Sequence, residues 1–336
     1  MTPRLTILVG VYSPVPAWNI PAAHVATLQR DFPMHTFLHA RSDEEALHVI
    51  PRADVAFMAE LRPPHLQAAS SMRWVHSPAA GIGGMLFPAL VQSAVVLTNS
   101  RGISAETIAE HIVGVTLVLF RKLPLAFTAQ GARRWAQDEI LALPEIRTLA
   151  GAGVLIVGLG SIGSAAARLL HALGAHVTGI RRSGSAGATP PGVQRTAPPD
   201  ELIDLLPHAD VVVLAAPQTR ATQGLIGARE LAAMRRDAVL VNVSRGKLVD
   251  EEALVAALRA PDATRTIGGA ALDVFAHEPL PPESQLWSLP GVLITPHMAG
   301  FRPDHWDAVI DLFSDNLRRF EAGQPLRNVV DKRAGY

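Results

Sequence analysis

Val154-Leu-Ile-Val-Gly158-Leu-Gly160-Ser-Ile-Gly163 runs an apolar strand into a Gly-x-Gly-x-x-Gly turn at the mouth of a helical pattern, Ile162 to Leu173, which ends at Gly174. Each glycine has a distinct physical task in such a turn. Gly158 permits the tight reversal, Gly160 lets a pyrophosphate approach the backbone, and Gly163 allows the helix to pack closely on the strand. The helix N-terminus then offers free amides and a partial positive charge to an anion. Glycines alone are common in turns, but between a strand and a helix this triplet predicts a dinucleotide site.

Outward from this turn, strands are predicted at His176 to Ile180, Val211 to Ala215, Ala238 to Val243, Ile267 to Asp273 and Val292 to Thr295, with a helix at Glu251 to Arg259. Nearly continuous apolar strands separated by helices imply a parallel sheet covered on both faces. Upstream, shorter runs at Leu5 to Val9, Val55 to Met58, Trp74 to His76 and Val95 to Thr98 alternate with helical stretches at Ala22 to Asp31 and Asp43 to Ile50. This is a second α/β set. Between the two, Ile103 to Leu125 reads as one long buried helix with Ser104 as its N-cap. The amphipathic stretch Asp304 to Phe320 lies beyond the second set and is expected to rejoin the first. Ser183 to Pro199, rich in Gly, Ser, Ala and Pro, reads as a surface connection.

With 336 residues the chain has room for about two domains. Lys and Arg number 30 and Asp and Glu number 30, so no basic excess exists to neutralise a nucleic-acid backbone or an anionic membrane surface. Neither partner is expected. Apolar residues make up 49%, which excludes general disorder. There is no cysteine, which removes disulfides, thiolate metal sites and cysteine nucleophiles and is compatible with a cytoplasmic location. The apolar run at the N-terminus is broken by Pro14 and Pro16 and reads as a buried strand, not a targeting segment. Glu106, Glu110, His111, Arg121 and Lys122 interrupt the most apolar long segment, so no membrane span is expected. His76 and Glu110-His111 lack metal-ligand spacing, and no metal is expected.

The end of the strand after the glycine turn selects the dinucleotide. An acid is expected there, about 20 residues past the glycines, if a free ribose 2′-hydroxyl is to be bound. Arg181 stands in its place, followed by Arg182 and Ser183. Two guanidiniums and a hydroxyl suit a 2′-phosphate. NADP(H) is therefore expected to be preferred, with NAD(H) as the lesser alternative.

Three further segments fall at predicted strand ends, where open parallel sheets bind ligands: Val241-Asn-Val-Ser-Arg245-Gly246, Leu272-Asp273-Val-Phe-Ala-His-Glu278-Pro279 and Ile294-Thr-Pro296-His297-Met-Ala-Gly300. Nearly the whole chain resembles the D-isomer-specific 2-hydroxy-acid dehydrogenase family. Glu278-Pro-Leu-Pro-Pro-Glu-Ser-Gln-Leu-Trp287 with Ile294-Thr-Pro-His resembles in particular its glyoxylate/hydroxypyruvate reductase branch. The chemistry is arguable from the side chains themselves. Arg245 can grip a carboxylate and polarise a carbonyl. His297 can exchange a proton with the C2 oxygen near neutrality. Glu278 would orient the ring and favour its charged form. Singly, each has a structural alternative: a turn arginine, a helix-approach residue, one histidine among 13. The resemblance implies the catalytic roles at all three positions.

It also implies that Ser161 and Ile162 lie on the pyrophosphate, Ala216 and Pro217 beside the adenosine ribose, and Val243 and Ser244 along the nicotinamide. Asp273 would meet the carboxamide, with Ala299 and Gly300 near the ring. On the substrate side, Ala80 and Gly81 in Ser77-Pro-Ala-Ala-Gly-Ile-Gly83-Gly84 resemble the loop whose amides meet the substrate carboxylate, although Gly83 replaces the family's usual Asp. Trp135 resembles a tryptophan of the family's helical arm, and packing in a core or dimer contact explains it equally well.

The expected architecture is a Rossmann dinucleotide-binding domain, 102–298, inserted into a flavodoxin-like substrate domain formed by 1–101 and 299–336. The expected activity is NAD(P)H-dependent reduction of small 2-keto acids such as glyoxylate or hydroxypyruvate to D-2-hydroxy acids by a homodimer, with domain closure excluding water. A non-catalytic dinucleotide-sensing regulator and a Rossmann dehydrogenase for a phosphorylated hydroxy acid are the alternatives.

Overall fold

A strand flanked by neighbours on both sides and by helices on both faces has no solvent-facing side, so it tolerates only apolar residues. Both sheets of this chain are mostly apolar at their centres, where the buried polar exceptions His76, Ser77 and Asn242 are hydrogen-bonded, and more mixed at edge strands such as Thr36–His39. The computed structural model describes residues 4–143, 146–184, 186–261, 264 and 266–335. It divides into two units, Met1–Ile103 with Arg302–Tyr336, and Ser104–Phe301.

The first unit holds β1 (Thr6–Gly10), β2 (Thr36–His39), β3 (Val55–Met58), β4 (Trp74–Ser77) and β5 (Val96–Asn99). They form one all-parallel sheet in the order β2-β1-β3-β4-β5, the flavodoxin-like order. The edge strand β2, Thr-Phe-Leu-His, is only half buried and has no apolar run for sequence reading to find.

The second unit holds β6 (Gly153–Val157), β7 (His176–Ile180), β8 (Arg195–Ala197), β9 (Val211–Leu214), β10 (Val239–Asn242), β11 (Gly269–Leu272) and β12 (Val292–Ile294). Their order is β12-β11-β10-β9-β6-β7-β8, again all parallel. The direction of winding reverses between β6 and β9, which is where such sheets bind dinucleotides. The edge strand β8 lies inside the stretch expected to be surface connection; the rest of that stretch is largely turn, with Ser185 outside the described residues.

The long helix expected from Ile103 to Leu125 is two helices, Ala105–Phe120 and Leu123–Gly131, bent by 69°. Pro124 explains the break: its ring would clash with the carbonyl four residues back, on Phe120, and it has no N–H to donate. Lys122 takes up a left-handed conformation at φ 54° to turn the chain. Ser104 occupies the N-cap position, but its hydroxyl makes no capping bond. Among the described residues no single helix is long and apolar enough to cross a membrane.

The C-terminal helix His305–Glu321 completes the first unit's core. Its Phe313 stacks on Phe57 of β3 and Trp74 of β4, with ring centroids 4.6 and 5.3 Å away. All three rings are fully buried. Behind them His76 lies in a closed chain of hydrogen bonds. Trp74 Nε1 donates to Thr98 Oγ1 (2.8 Å), which is 2.7 Å from His76 Nδ1. His76 Nε2 is 3.2 Å from Ser100 Oγ, which donates to the Ser77 carbonyl (3.0 Å). One neutral tautomer, Nε2–H, satisfies every group in the chain. Burial pushes the His76 pKa down to about 3.

Phe313→Ala is expected to destabilise the first unit by about 3–5 kcal/mol, measured by urea unfolding. Because an unfolded His76 titrates near 6.5 and the native one at about 3, its contribution is complete above pH 6.5. Between those values it is lost by about 1.4 kcal/mol per pH unit of acidification. His76→Asn should flatten the slope of unfolding free energy between pH 6.5 and 5; an unchanged slope contradicts the buried neutral assignment.

Candidate active site

Because the strands of the second unit are parallel, the segments after β6, β7, β9, β10, β11 and β12 all leave from the same sheet edge. The glycine turn follows β6. A Cβ on Gly158 would lie 2.7 Å from the Ala216 amide nitrogen, and one on Gly163 only 1.9 Å from the Gly158 carbonyl oxygen. Gly158 also has φ 102°, which favours glycine. Both are therefore demanded by the protein's own packing. Gly160 is different: it is the N-cap of the helix Ser161–Ala172, φ is −76°, and its Cβ would meet nothing within 4 Å. The open space over Gly160 and the first-turn amides of Ser161, Ile162 and Gly163, which lack intrahelical acceptors, fit a pyrophosphate. Ala216 is buried at the end of β9, with Pro217 directly after it.

After β7 the expected phosphate-binding group is arranged differently from expectation. The Arg181 guanidinium donates to the carbonyls of Gly184, Ala186, Gly187 and Ala188 at 2.7–3.2 Å. Its donors organise the loop, because four carbonyls converging on one cation fix the turn. Arg182 and Ser183 lie in that turn.

Arg245 follows β10, and Asn242, a residue sequence reading passed over, holds it there. The buried Asn242 side chain donates to the Arg245 carbonyl (3.0 Å) and accepts from the amide and hydroxyl of Ser244 (3.1 and 3.0 Å). Val243 and Ser244 are buried beside it. Arg245 Nη1 donates to the Ser244 carbonyl at 2.6 Å. Burial lowers the Arg245 pKa, and the Glu278 charge partly offsets this. Gly246 has no room for a side chain, since its Cβ would lie 1.8 Å from the Phe275 carbonyl carbon.

Glu278 bridges two segments. Its Oε1 accepts the Phe275 amide (2.9 Å) and its Oε2 lies 2.7 Å from His297 Nδ1. A carboxylate only accepts, so Nδ1 carries the proton and Nε2 is left for other partners. Glu251, a second residue not foreseen, accepts the Ala276 amide (2.6 Å) and fixes the same loop. His297 adopts the left-handed conformation at φ 49°, and half of its side-chain surface is exposed. Arg245, Glu278 and His297 line one cavity of about 310 Å³, which Gln218 and Lys247 also border. Asp273, buried at the end of β11, directs its carboxylate to the amides of Met298 (2.9 Å) and Ala299 (3.1 Å), with Gly300 next in sequence. Among the described residues no three His, Asp or Glu side chains gather as metal ligands.

In the first unit, the loop after β4 turns its carbonyls inward: Ala79 accepts from the Ser100 amide (3.1 Å) and Ala80 from Asn99 Nδ2 (2.6 Å). Ala80 and Gly81 are exposed. Trp135 is 88% exposed, which removes a core role within this chain.

Residues 113–299 match the model of the D-isomer specific 2-hydroxyacid dehydrogenase NAD-binding domain. The chain belongs to that family. It is 30% identical to a glycerate dehydrogenase of Methylorubrum extorquens, over 86% of this chain and 88% of that one. It is also 30% identical to a D-3-phosphoglycerate dehydrogenase of Synechocystis, where 86% of this chain spans about half (51%) of the relative. Among solved structures it is similar to the NADPH-dependent glyoxylate/hydroxypyruvate reductase of Sinorhizobium meliloti, in complex with NADP and sulfate. The TM-score is 0.82 at 26% identity, covering 99% of this chain and 100% of that one.

The contrast between the glycines is testable. Gly246→Ala should cost about 1–3 kcal/mol in urea unfolding, as overpacking does. Gly160→Ala should leave stability unchanged and weaken dinucleotide binding, read by quenching of protein fluorescence; equal stability losses in both variants contradict the packing argument.

Proposed function

We propose that this dehydrogenase reduces small 2-keto acids, glyoxylate or hydroxypyruvate first among them, to D-2-hydroxy acids with NADPH in the cytoplasm, as a homodimer. The observation that carries the reading is the Glu278–His297 pair at 2.7 Å, in the same cavity as Arg245. The nicotinamide, when bound, supplies the hydride that reaches C2. Arg245 binds the substrate carboxylate and polarises the C2 carbonyl. His297 delivers the proton from Nε2 to the C2 oxygen, while Glu278 holds Nδ1 and orients the ring. In the first unit, the exposed residues Ala80 and Gly81 are the candidate substrate-loop residues. The insert of about 102–298 serves as the dinucleotide domain, and 1–101 with 299–336 as the substrate domain.

The cofactor assignment follows the residues after β7. No acid stands there to repel a 2′-phosphate, and Arg182 and Ser183 occupy the turn that Arg181 shapes. NADP(H) is preferred and NAD(H) is the weaker alternative. Gly158, Gly160, Ser161, Ile162 and Gly163 take the pyrophosphate, and Ala216 and Pro217 the adenosine ribose. Val243, Ser244, Asp273, Ala299 and Gly300 are the residues that would hold the nicotinamide. Lys247 at the cavity rim and the phosphoglycerate dehydrogenase relative favour including a phosphorylated 2-keto acid in any substrate panel.

Oxidation of NADPH should be measured against glyoxylate, hydroxypyruvate, 3-phosphohydroxypyruvate and larger apolar 2-keto acids, then repeated with NADH. His297→Gln should reduce kcat by at least about a thousandfold with NADPH affinity within about twofold, the loss of a proton donor and its charge together. Arg182→Ala should weaken NADPH by about tenfold or more and leave NADH unchanged. Turnover of no 2-keto acid, or retained activity in His297→Gln, refutes the reading.

A further inference from the structure

The turn that carries His297 is held from beneath by Asp273, with the His297 amide shared with the Thr295 carbonyl (3.0 Å). Three successive amides end on Asp273: His297 on its backbone carbonyl (2.8 Å), Met298 on Oδ1 (2.9 Å) and Ala299 on Oδ2 (3.1 Å). This is what keeps a non-glycine residue at φ 49°, a conformation uncommon outside glycine. Asp273 is only 2% exposed, so its carboxylate must itself be oriented by buried partners.

Those partners lie on β12 and on the helix Ala105–Phe120. Thr295 Oγ1 is 2.6 Å from Asp273 Oδ1. A carboxylate has no proton to give, so the hydroxyl proton lies on that bond. His111 Nε2 is 3.3 Å from the same Thr295 oxygen and 4.0 Å from Asp273 Oδ1. With its proton committed to Asp273, the hydroxyl can only accept from His111, which fixes His111 as the Nε2–H tautomer. Burial lowers the His111 pKa against the opposing pull of Asp273, consistent with a neutral ring that donates.

We infer that His111 and Thr295 are positioning residues for the acid/base histidine: the chain His111 Nε2–H to Thr295 Oγ–H to Asp273 orients the carboxylate on which the His297 turn is built. The inference rests on the proposed role of His297, but the geometry it invokes does not. It assigns a use to His111 of the Glu-His pair at 110–111, and it makes the threonine of Thr295-Pro-His297 part of the machinery. A hydroxyl is needed there because it must donate and accept at once; valine has the same shape and does neither.

The test uses the full chain with Thr295→Val, Thr295→Ser, His111→Leu and His111→Gln. Amide hydrogen exchange followed by mass spectrometry should show residues 297–299 exchanging at least about tenfold faster in Thr295→Val and His111→Leu, and near the parent rate in Thr295→Ser and His111→Gln. With a 2-keto acid that the parent protein reduces, Thr295→Val should lower kcat by about tenfold or more, with NADPH affinity within about twofold. The primary deuterium isotope effect from 4-deuterated NADPH should rise as hydride transfer becomes slower. Thr295→Ser should restore all three. Unchanged exchange at 297–299 in Thr295→Val overturns the inference, as does parent kcat in that variant. Loss of exchange protection across the whole second unit, with no rescue by serine, also overturns it by showing general destabilisation. If the parent reduces no 2-keto acid, the proposed function fails while the exchange result still decides this one.

Discussion

Parallel pairing is the constraint on which the rest depends. In the second unit seven strands run in one direction, so every strand delivers its following loop to the same edge. A parallel sheet needs a crossover between successive strands, and the chain therefore visits that edge repeatedly, at widely separated points in sequence. Gly158, Arg181, Ala216, Arg245, Asp273 and His297 all follow strand ends. Their gathering follows from the ladder, and the order β12-β11-β10-β9-β6-β7-β8 decides which are neighbours. Arg245, Glu278 and His297 come from three adjacent strands, β10, β11 and β12. The glycine turn and Ala216 come from β6 and β9, the pair at which winding reverses.

Glycine shows where packing ends and ligand chemistry begins. Gly158, Gly163 and Gly246 are each closed in by backbone atoms, so the fold alone forbids a side chain at those positions. Gly160 has ordinary φ and empty space where a Cβ would be. The sequence pattern assigns different tasks to the glycines, and only geometry separates those the protein needs for itself from the one it does not.

What could be read from sequence was what depends on long apolar runs or on dense local chemistry. The central strands and the glycine turn are of that kind, whereas Arg245, Glu278 and His297 each have a structural alternative singly and draw their expected roles from the family resemblance. The edge strands β2 and β8 were not legible, because a strand with one neighbour and a wet face can be short and mixed in composition; Thr36-Phe-Leu-His39 and Arg195-Thr-Ala197 carry no period to detect. The bend after Phe120 could have been found from Pro124, whose clash with a preceding carbonyl is predictable. Asn242 and Glu251 act through single hydrogen bonds to backbone atoms brought near by the fold, and nothing in their spacing announces that. Arg181 was legible as a phosphate-seeking cation, but not as the centre of a loop whose carbonyls it satisfies itself.

The net charge of zero hides how charge is deployed around the triad. Arg245 is half-buried, and burial lowers its pKa while the Glu278 charge opposes that shift. Glu278 does not neutralise Arg245 by direct pairing; its two oxygens are taken by the Phe275 amide and by His297. The guanidinium keeps one donor on the Ser244 carbonyl and has the rest to offer, and a planar carboxylate matches that fork. Under the proposed function, the carboxylate of a small 2-keto acid would be the anionic partner of this guanidinium. On that proposal the same arrangement gives the acid/base role to a histidine held by a carboxylate and not to a second fixed cation: proton transfer at C2 requires a group that can gain and lose a proton, beside an arginine that keeps its own.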